Sequence, residues 1–257
     1  MTSSHGPAGS GRLRWTAAYL ILFSALLGVA ALVLQANSAG SWQATRPAVS
    51  VQQLRAVYHG GGALVHQADL RTRDACERLV AEAREQLGRI DVWVNNAGAD
   101  VLTGEAAAWE WERKLDVLLA VDLKGTIACS YAISEVMRNQ ERGGAILNMS
   151  WDHVTTGMAG ENPQLFAAVK GGVLAFSKSL ARSMAPDVRV NVLCPGWIET
   201  SFGEQADPDF RRSVAENTPL GRWGRPQDVA DAAIYLASPA ASFVTGQAIN
   251  VNGGFVM

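Results

Sequence analysis

From about residue 60 onward, short apolar runs alternate with longer stretches whose apolar positions recur every three or four residues. That rhythm predicts strands at 63–66, 90–94, 145–149, 188–193 and 248–251. It predicts helices at 71–87, 163–184 and 226–237, with 109–139 helical in two pieces. The strand segments do not alternate apolar with polar residues. Such strands are buried on both faces, as in a parallel sheet covered by helices. The pattern predicts one α/β domain with a doubly wound, Rossmann-like parallel sheet. Folds of that kind bind ligands beyond the carboxyl ends of their strands. A length of 257 residues suits it.

The amino end breaks the rhythm. Residues 16–34 are nineteen uncharged, mostly apolar residues preceded by Arg12 and Arg14. Length and composition fit a membrane helix or a signal-peptide core, with the remainder outside the cytosol. The same residues also fit a first helix and second strand of the fold. Length arithmetic favours this second reading, because removing them leaves the sheet incomplete. A third reading is a shifted frame or wrong start over about the first 28 residues. The division is therefore a divergent segment at 1–30 and the folded domain at 31–257.

Charge and cysteines narrow the function. Net charge is −2 with 18% charged residues, and there is no basic run, so a nucleic-acid surface is not expected. Cys76, Cys129 and Cys194 are scattered and odd in number, which fits reduced thiols in the cytosol. His5, His59, His66 and His153 have no ligand spacing, and no metal site is expected.

Several motifs follow in order. Asp69-Leu70 follows one strand, and Asn95-Asn96-Ala97-Gly98 closes the next. Small residues there allow a ligand to approach the backbone closely. Phe166 and Lys170 stand four apart on a helix and so share a face. Arg189-Val190-Asn191-Val192-Leu193-Cys194-Pro195-Gly196-Trp197-Ile198-Glu199-Thr200 runs from a strand into a Pro-Gly turn. Gly221 to Ala230 and Thr245 to Gly254 complete the series. Over residues 60–257 the chain resembles the short-chain dehydrogenase/reductase family, and within it the 3-oxoacyl-[acyl-carrier-protein] reductase-like branch.

The resemblance implies hydride transfer between NAD(P)H and a carbonyl/alcohol pair. NADP is the expected cofactor and NAD the alternative. It implies cofactor contacts from Asp69, Leu70, Asn96, Ala97, Gly98, Lys170, Pro195, Gly196, Ile198 and Thr200. Residues 31–34 resemble the family's second strand, and Asn37-Ser38 the loop at the adenosine ribose. An uncharged Asn-Ser pair suits a 2′-phosphate better than an acidic residue would. The family's glycine-rich phosphate loop, T-G-x-x-x-G-x-G, has no counterpart here. In register, Ser10-Gly11 falls on its first pair, and Trp15 and Ala17 fall on its later glycines.

The family's reacting groups are a Ser, a Tyr, a Lys and an Asn on a neighbouring helix. Lys170 is present, but Phe166 stands at the Tyr position and Asp122 at the Asn position. A phenol can give a proton to a carbonyl oxygen; a phenyl ring cannot. The Ser position admits two registers. Counting thirteen residues back from Phe166 reaches His153. Aligning on Asn148-Met149-Ser150 reaches Trp151, with a loop two residues longer. Neither Tyr19, Tyr58, Tyr131 nor Tyr235 lies in this loop or helix. Asp152 and His153 are the best substitute acids, because imidazole titrates near neutrality; closing a loop is their bland alternative role. The catalytic candidates are therefore Lys170, Phe166, His153, Ser150, Asp152 and Asp122.

Two functions are expected. One is an oxidoreductase acting on a small carbonyl or alcohol. The other is a catalytically inactive homologue that binds or assembles. The resemblance implies a homodimer or homotetramer formed through the helices carrying Asp122 and Lys170. A cytoplasmic location is favoured over anchoring through residues 16–34. Residues 199–220 are the expected lid over the substrate.

Overall fold

The computed structural model describes residues 32–35 and 64–257, apart from 103, 201–202 and 204–205. Strand β1, Leu32–Gln35, pairs in parallel with β2, Leu64–Gln67. The expected strand at 31–34 thus lies one residue further on. The whole 1–30 segment, Asn37, Ser38 and residues 16–31 of the 16–34 stretch lie outside the described residues.

A second parallel sheet has the order β3-β4-β5-β6. It contains β3, Val92–Asn95, then β4, Gly144–Met149, β5, Val188–Pro195, and β6, Ala248–Val251. The helices between successive strands are α1, Arg73–Leu87, α2, Trp111–Leu118, α3, Thr126–Arg138, and α4, Glu161–Met184. Helix α5, Pro208–Asn217, and helix α6, Pro226–Ala237, lie between β5 and β6.

Both faces of the larger sheet are covered, which explains the unalternating strands. Ile146 and Val190 face one way, into a core with Leu79, Ile133, Met137 and Leu180 from α1, α3 and α4. Leu147 and Leu193 face the other way, against Val229, Ala233 and Leu236 of α6. Successive residues of a strand point to opposite faces, so a strand packed on both sides must be apolar throughout.

Local signals account for the helix ends. Thr72 Oγ1 accepts the Ala75 N–H, and Gly88 closes α1 at φ 72°. Asp207 accepts the N–H groups of Asp209 and Phe210, and Pro208 opens α5. That Asp-Pro start signal lies inside the stretch assigned to a lid, and α5 is an addition to the elements expected there.

The two pieces expected at 109–139 form one continuous helix. Trp111–Arg138 is long and apolar enough to cross a membrane by composition, but half of its most apolar window is buried in the protein. A π-helical segment, Leu119–Gly125, joins α2 to α3 without a break. Such wide turns rotate the helix faces out of step and recur at functional sites.

Candidate active site

The carboxyl ends of β3 and β4 are fixed by a buried amide network. Asn95 and Asn148 are partners in the strand register. Asn95 Oδ1 accepts the Trp93 indole N–H at 2.8 Å, and its Nδ2 donates to Ser130 Oγ and Asn148 Oδ1 at 2.9 and 2.8 Å. Asn148 Nδ2 donates to Ser177 Oγ at 2.8 Å. Each amide finds partners, so burying it is not penalised, and both strand ends are held against α3 and α4. Asn95 opens the Asn95–Gly98 motif, and its side chain supports the sheet.

Asp122 sits in the π-helical segment, 1% exposed. Its Oδ1 accepts the Ala99 N–H at 2.8 Å, just past the Asn95–Gly98 turn. Its Oδ2 lies 2.9 Å from Lys170 Nζ, close enough for an ion pair but not aligned as a hydrogen bond. Lys170 Nζ also donates to the Met149 carbonyl at 3.4 Å. A methyl group on Gly98 would stand 3.1 Å from Asp122 Oδ2, so the turn has little room for a side chain. One helical turn from Lys170, the Phe166 ring has its centroid 5.4 Å from Nζ. The buried ammonium is therefore satisfied by a carboxylate, a carbonyl and a ring face.

Beyond β4 the chain turns sharply. Ser150 Oγ donates to the Lys170 carbonyl at 2.9 Å, which directs its proton into the backbone of α4. A 3₁₀ turn, Asp152–Val154, follows. Asp152 and His153 are 2% and 7% exposed. His153 Nδ1 lies 2.8 Å from Asp152 Oδ1, and Asp152 Oδ2 accepts from Asn252 Nδ2 at 3.0 Å. Asn252 is itself held, with Nδ2 donating to the Val256 carbonyl and Oδ1 accepting the Gly254 N–H. A carboxylate partner makes Nδ1 the protonated nitrogen, which leaves Nε2 to face a ligand. Gly196 seals this arrangement. A Cβ there would stand 2.6 Å from Asn252 Cβ and 2.8 Å from Asp152 Oδ2.

The two clusters meet across one ring. Trp151 stacks on His153 with centroids 4.9 Å apart, and it meets Phe166 edge to face at 5.5 Å. Among the residues singled out in the sequence, Lys170, Asp122 and Phe166 form one group and Asp152, His153 and Gly196 the other. Asn252, which holds Asp152 from β6's end, was not among the site candidates. It falls in a C-terminal motif with the look of a purely structural turn.

The cofactor candidates spread along the same strand ends. Arg71 grips both oxygens of Asp69, with Nη2 2.6 Å from Oδ2, and holds its carboxyl below the usual range. Leu70 is buried, and its carbonyl faces Cys76 Sγ at 3.6 Å. Asn96, Ala97 and Gly98 follow β3, and Pro195 ends β5. Ile198 forms an isolated parallel bridge with Gly224, made through the Trp197 carbonyl and the Glu199 N–H. The Ile198 N–H consequently points away from Gly224. Thr200 lies exposed beyond it. That outward peptide, the small Gly98 turn and the buried ammonium fit the nicotinamide end of a dinucleotide. Cys194, on β5 beside this site, has its thiol pushed up to about 11 by burial.

This fold and this set of strand-end motifs define an oxidoreductase class, and the comparisons identify it. Residues 30–256 match the family model described as "Enoyl-(Acyl carrier protein) reductase". The chain belongs to the short-chain dehydrogenase/reductase family and resembles its 3-oxoacyl-[acyl-carrier-protein] reductases. It is 34% identical over 206 residues to such a reductase from Synechocystis, covering 78% of this chain and 79% of the relative. It is 36% identical over 189 residues to another from Thermotoga maritima, covering 72% and 74%. A solved short-chain dehydrogenase/reductase from Brucella melitensis, described as glucose/ribitol dehydrogenase, superposes with a TM-score of 0.69. That structure is 30% identical and covers 80% of this chain and 82% of its own.

Proposed function

We propose that this family member interconverts a small carbonyl compound and its alcohol, with His153 moving the proton that a phenol moves in its relatives. The observation that carries the reading is the buried Asp152–His153 pair, 2.8 Å apart, at the carboxyl end of β4. Asn252 holds Asp152, Asp152 holds the imidazole through Nδ1–H, and in the imidazolium form Nε2–H donates to the substrate oxygen. As the carbonyl becomes an alcohol, its oxygen gains this proton; in the reverse direction Nε2 accepts it. A bound NADPH, or NADH, would supply the hydride to the carbonyl carbon. Asn96 to Gly98, Lys170, and Pro195 to Thr200 would hold the nicotinamide half. Asp69 and Leu70 would lie at the adenine, and Asn37 and Ser38 at the ribose 2′-phosphate. Asp122 neutralises Lys170 and anchors the Ala99 peptide, and Ser150 fixes α4 against β4.

A second reading has its own support: Lys170 is engaged by Asp122, and Phe166 has no proton to give. That reading is an inactive homologue whose site serves only binding or assembly. Tryptophan fluorescence with NADPH, followed by carbonyl-dependent NADPH oxidation, separates the two. Binding with turnover is expected. In His153→Ala, turnover should fall by about 10²- to 10⁴-fold, the range of a lost acid. Unchanged turnover would remove His153 from the chemistry, and absence of both signals in the wild type would favour the inactive homologue.

We place the protein in the cytosol, where Cys76, Cys129 and Cys194, all unpaired and buried, stay reduced. Assembly as a homodimer or homotetramer through α3 and α4 is supported by Tyr131 of α3, 57% exposed and set edge to face against Phe176 of α4.

A further inference from the structure

Three neighbouring strands each deliver an aromatic ring beyond their carboxyl ends. Trp151 follows β4, Trp197 follows β5 and Phe255 follows β6. These rings and two others form a continuous chain. Phe166 meets Trp151 at 5.5 Å, Trp151 stacks on His153 at 4.9 Å, His153 meets Phe255 at 5.6 Å, and Phe255 meets Trp197 at 6.5 Å. Phe210 of α5 extends the chain at 5.2 Å from Trp197 and is 37% exposed. The core between the sheet and its helices is mainly aliphatic, with Trp93 and Phe176 among its members. Trp151, Trp197 and Phe255 stand beyond the strand ends, where a doubly wound sheet takes its ligand, and Phe166 packs beside them on Val101, Leu118 and Val169.

We propose that the substrate is an aryl ketone or its benzylic-type alcohol, a flat aromatic ring system carrying the reacting carbon. This rests on the carbonyl/alcohol reading above and specifies its substrate. A flat guest that meets the remaining edges and faces of these rings gains beyond simple area burial. His153 lies within the wall, so the oxygen on the carbon next to the aryl group meets the proton donor while the ring system lies against Trp151 and Phe255. Charge points the same way. Arg211, beside the wall over Trp223, is paired with Glu199 at 3.2 Å, so this cation is already matched and does not select an anionic substrate.

The test uses the full chain with NADPH and measures calorimetric binding of 1-(2-naphthyl)ethanol against 2-decanol, which is similar in size without rings. Reduction of 2-acetonaphthone against acetoacetyl-coenzyme A is measured in parallel. The naphthyl alcohol is expected to bind about tenfold more tightly than decanol, and Phe255→Leu and Trp151→Leu should each erase most of that preference. Phe255→Leu alone decides the matter if Trp151→Leu does not fold. Equal or tighter binding of decanol, no loss in Phe255→Leu, or faster reduction of acetoacetyl-coenzyme A overturns the inference. Ring-selective binding without any turnover supports the aromatic site while defeating the reductase reading, so the two failures are distinguishable.

Discussion

A lysine ammonium under a phenyl ring has no hydroxyl proton to influence, and at position 170 its charge is matched by Asp122. Restoring one oxygen atom should reveal what survives around it. Phe166→Tyr places a phenol one turn from Lys170, whose charge favours the phenolate. Carbonyl-dependent NADPH oxidation should rise by at least about tenfold, with the pH profile moving toward the phenol's ionisation. No change would mean that the site differs beyond this ring. The Asp122–Lys170 pair is also a stability element. Asp122→Leu leaves a buried ammonium without its counterion and should cost about 3–5 kcal/mol in urea unfolding. Asp122→Asn keeps an acceptor for the Ala99 N–H and should cost clearly less. At this scale the sequence was partly legible. Lys170, Phe166 and Asp122 can be aligned by spacing, but the partner of each cannot. Whether Ser150 points at substrate or at the Lys170 carbonyl depends on a rotamer set by packing.

Among the elements, the π-helical segment and the loop after β4 carry the site. Helix periodicity fixed the ends of Trp111–Arg138 to within a few residues, yet it suggested two pieces. The wide turns contain no Pro, and their glycine, Gly125, continues the helix at φ −60°, so the change lies in which carbonyl each N–H reaches. Strand β5 shows how closely its end is packed. Gly196→Ala adds a methyl 2.6 Å from Asn252 Cβ and 2.8 Å from Asp152 Oδ2. That overpacking should cost about 1–3 kcal/mol and displace Asp152 from His153. The check is paired: a thermal melt for stability, and kcat below the melting range, which should fall further than the stability loss explains. The two registers for the Ser position arise here as well. A loop longer by two residues is invisible to periodicity, and only its hydrogen bonds show where Trp151, Asp152 and His153 sit.

For the whole molecule, the buried thiol of Cys194 ties stability to pH. The unfolded chain releases this proton near 9.0 and the folded protein near about 11. Between those values the unfolded state binds fewer protons, so stability falls as pH rises. The loss should reach about 2–3 kcal/mol across the window, and Cys194→Ala should flatten it in melts taken from pH 8 to 11. The layered parallel sheet, the succession of its strands along the chain and the family are all legible in the residues alone. Each of these follows from apolar periodicity and short motifs, which are local properties. Tertiary structure alone decided that Asn252 from β6 holds Asp152 from β4. It likewise joined Asp122 to Lys170 and gathered rings from three strand ends into one wall. Those pairings link residues up to a hundred positions apart. Only the folding of the sheet brings such residues within hydrogen-bonding distance, and no periodicity along the chain encodes it.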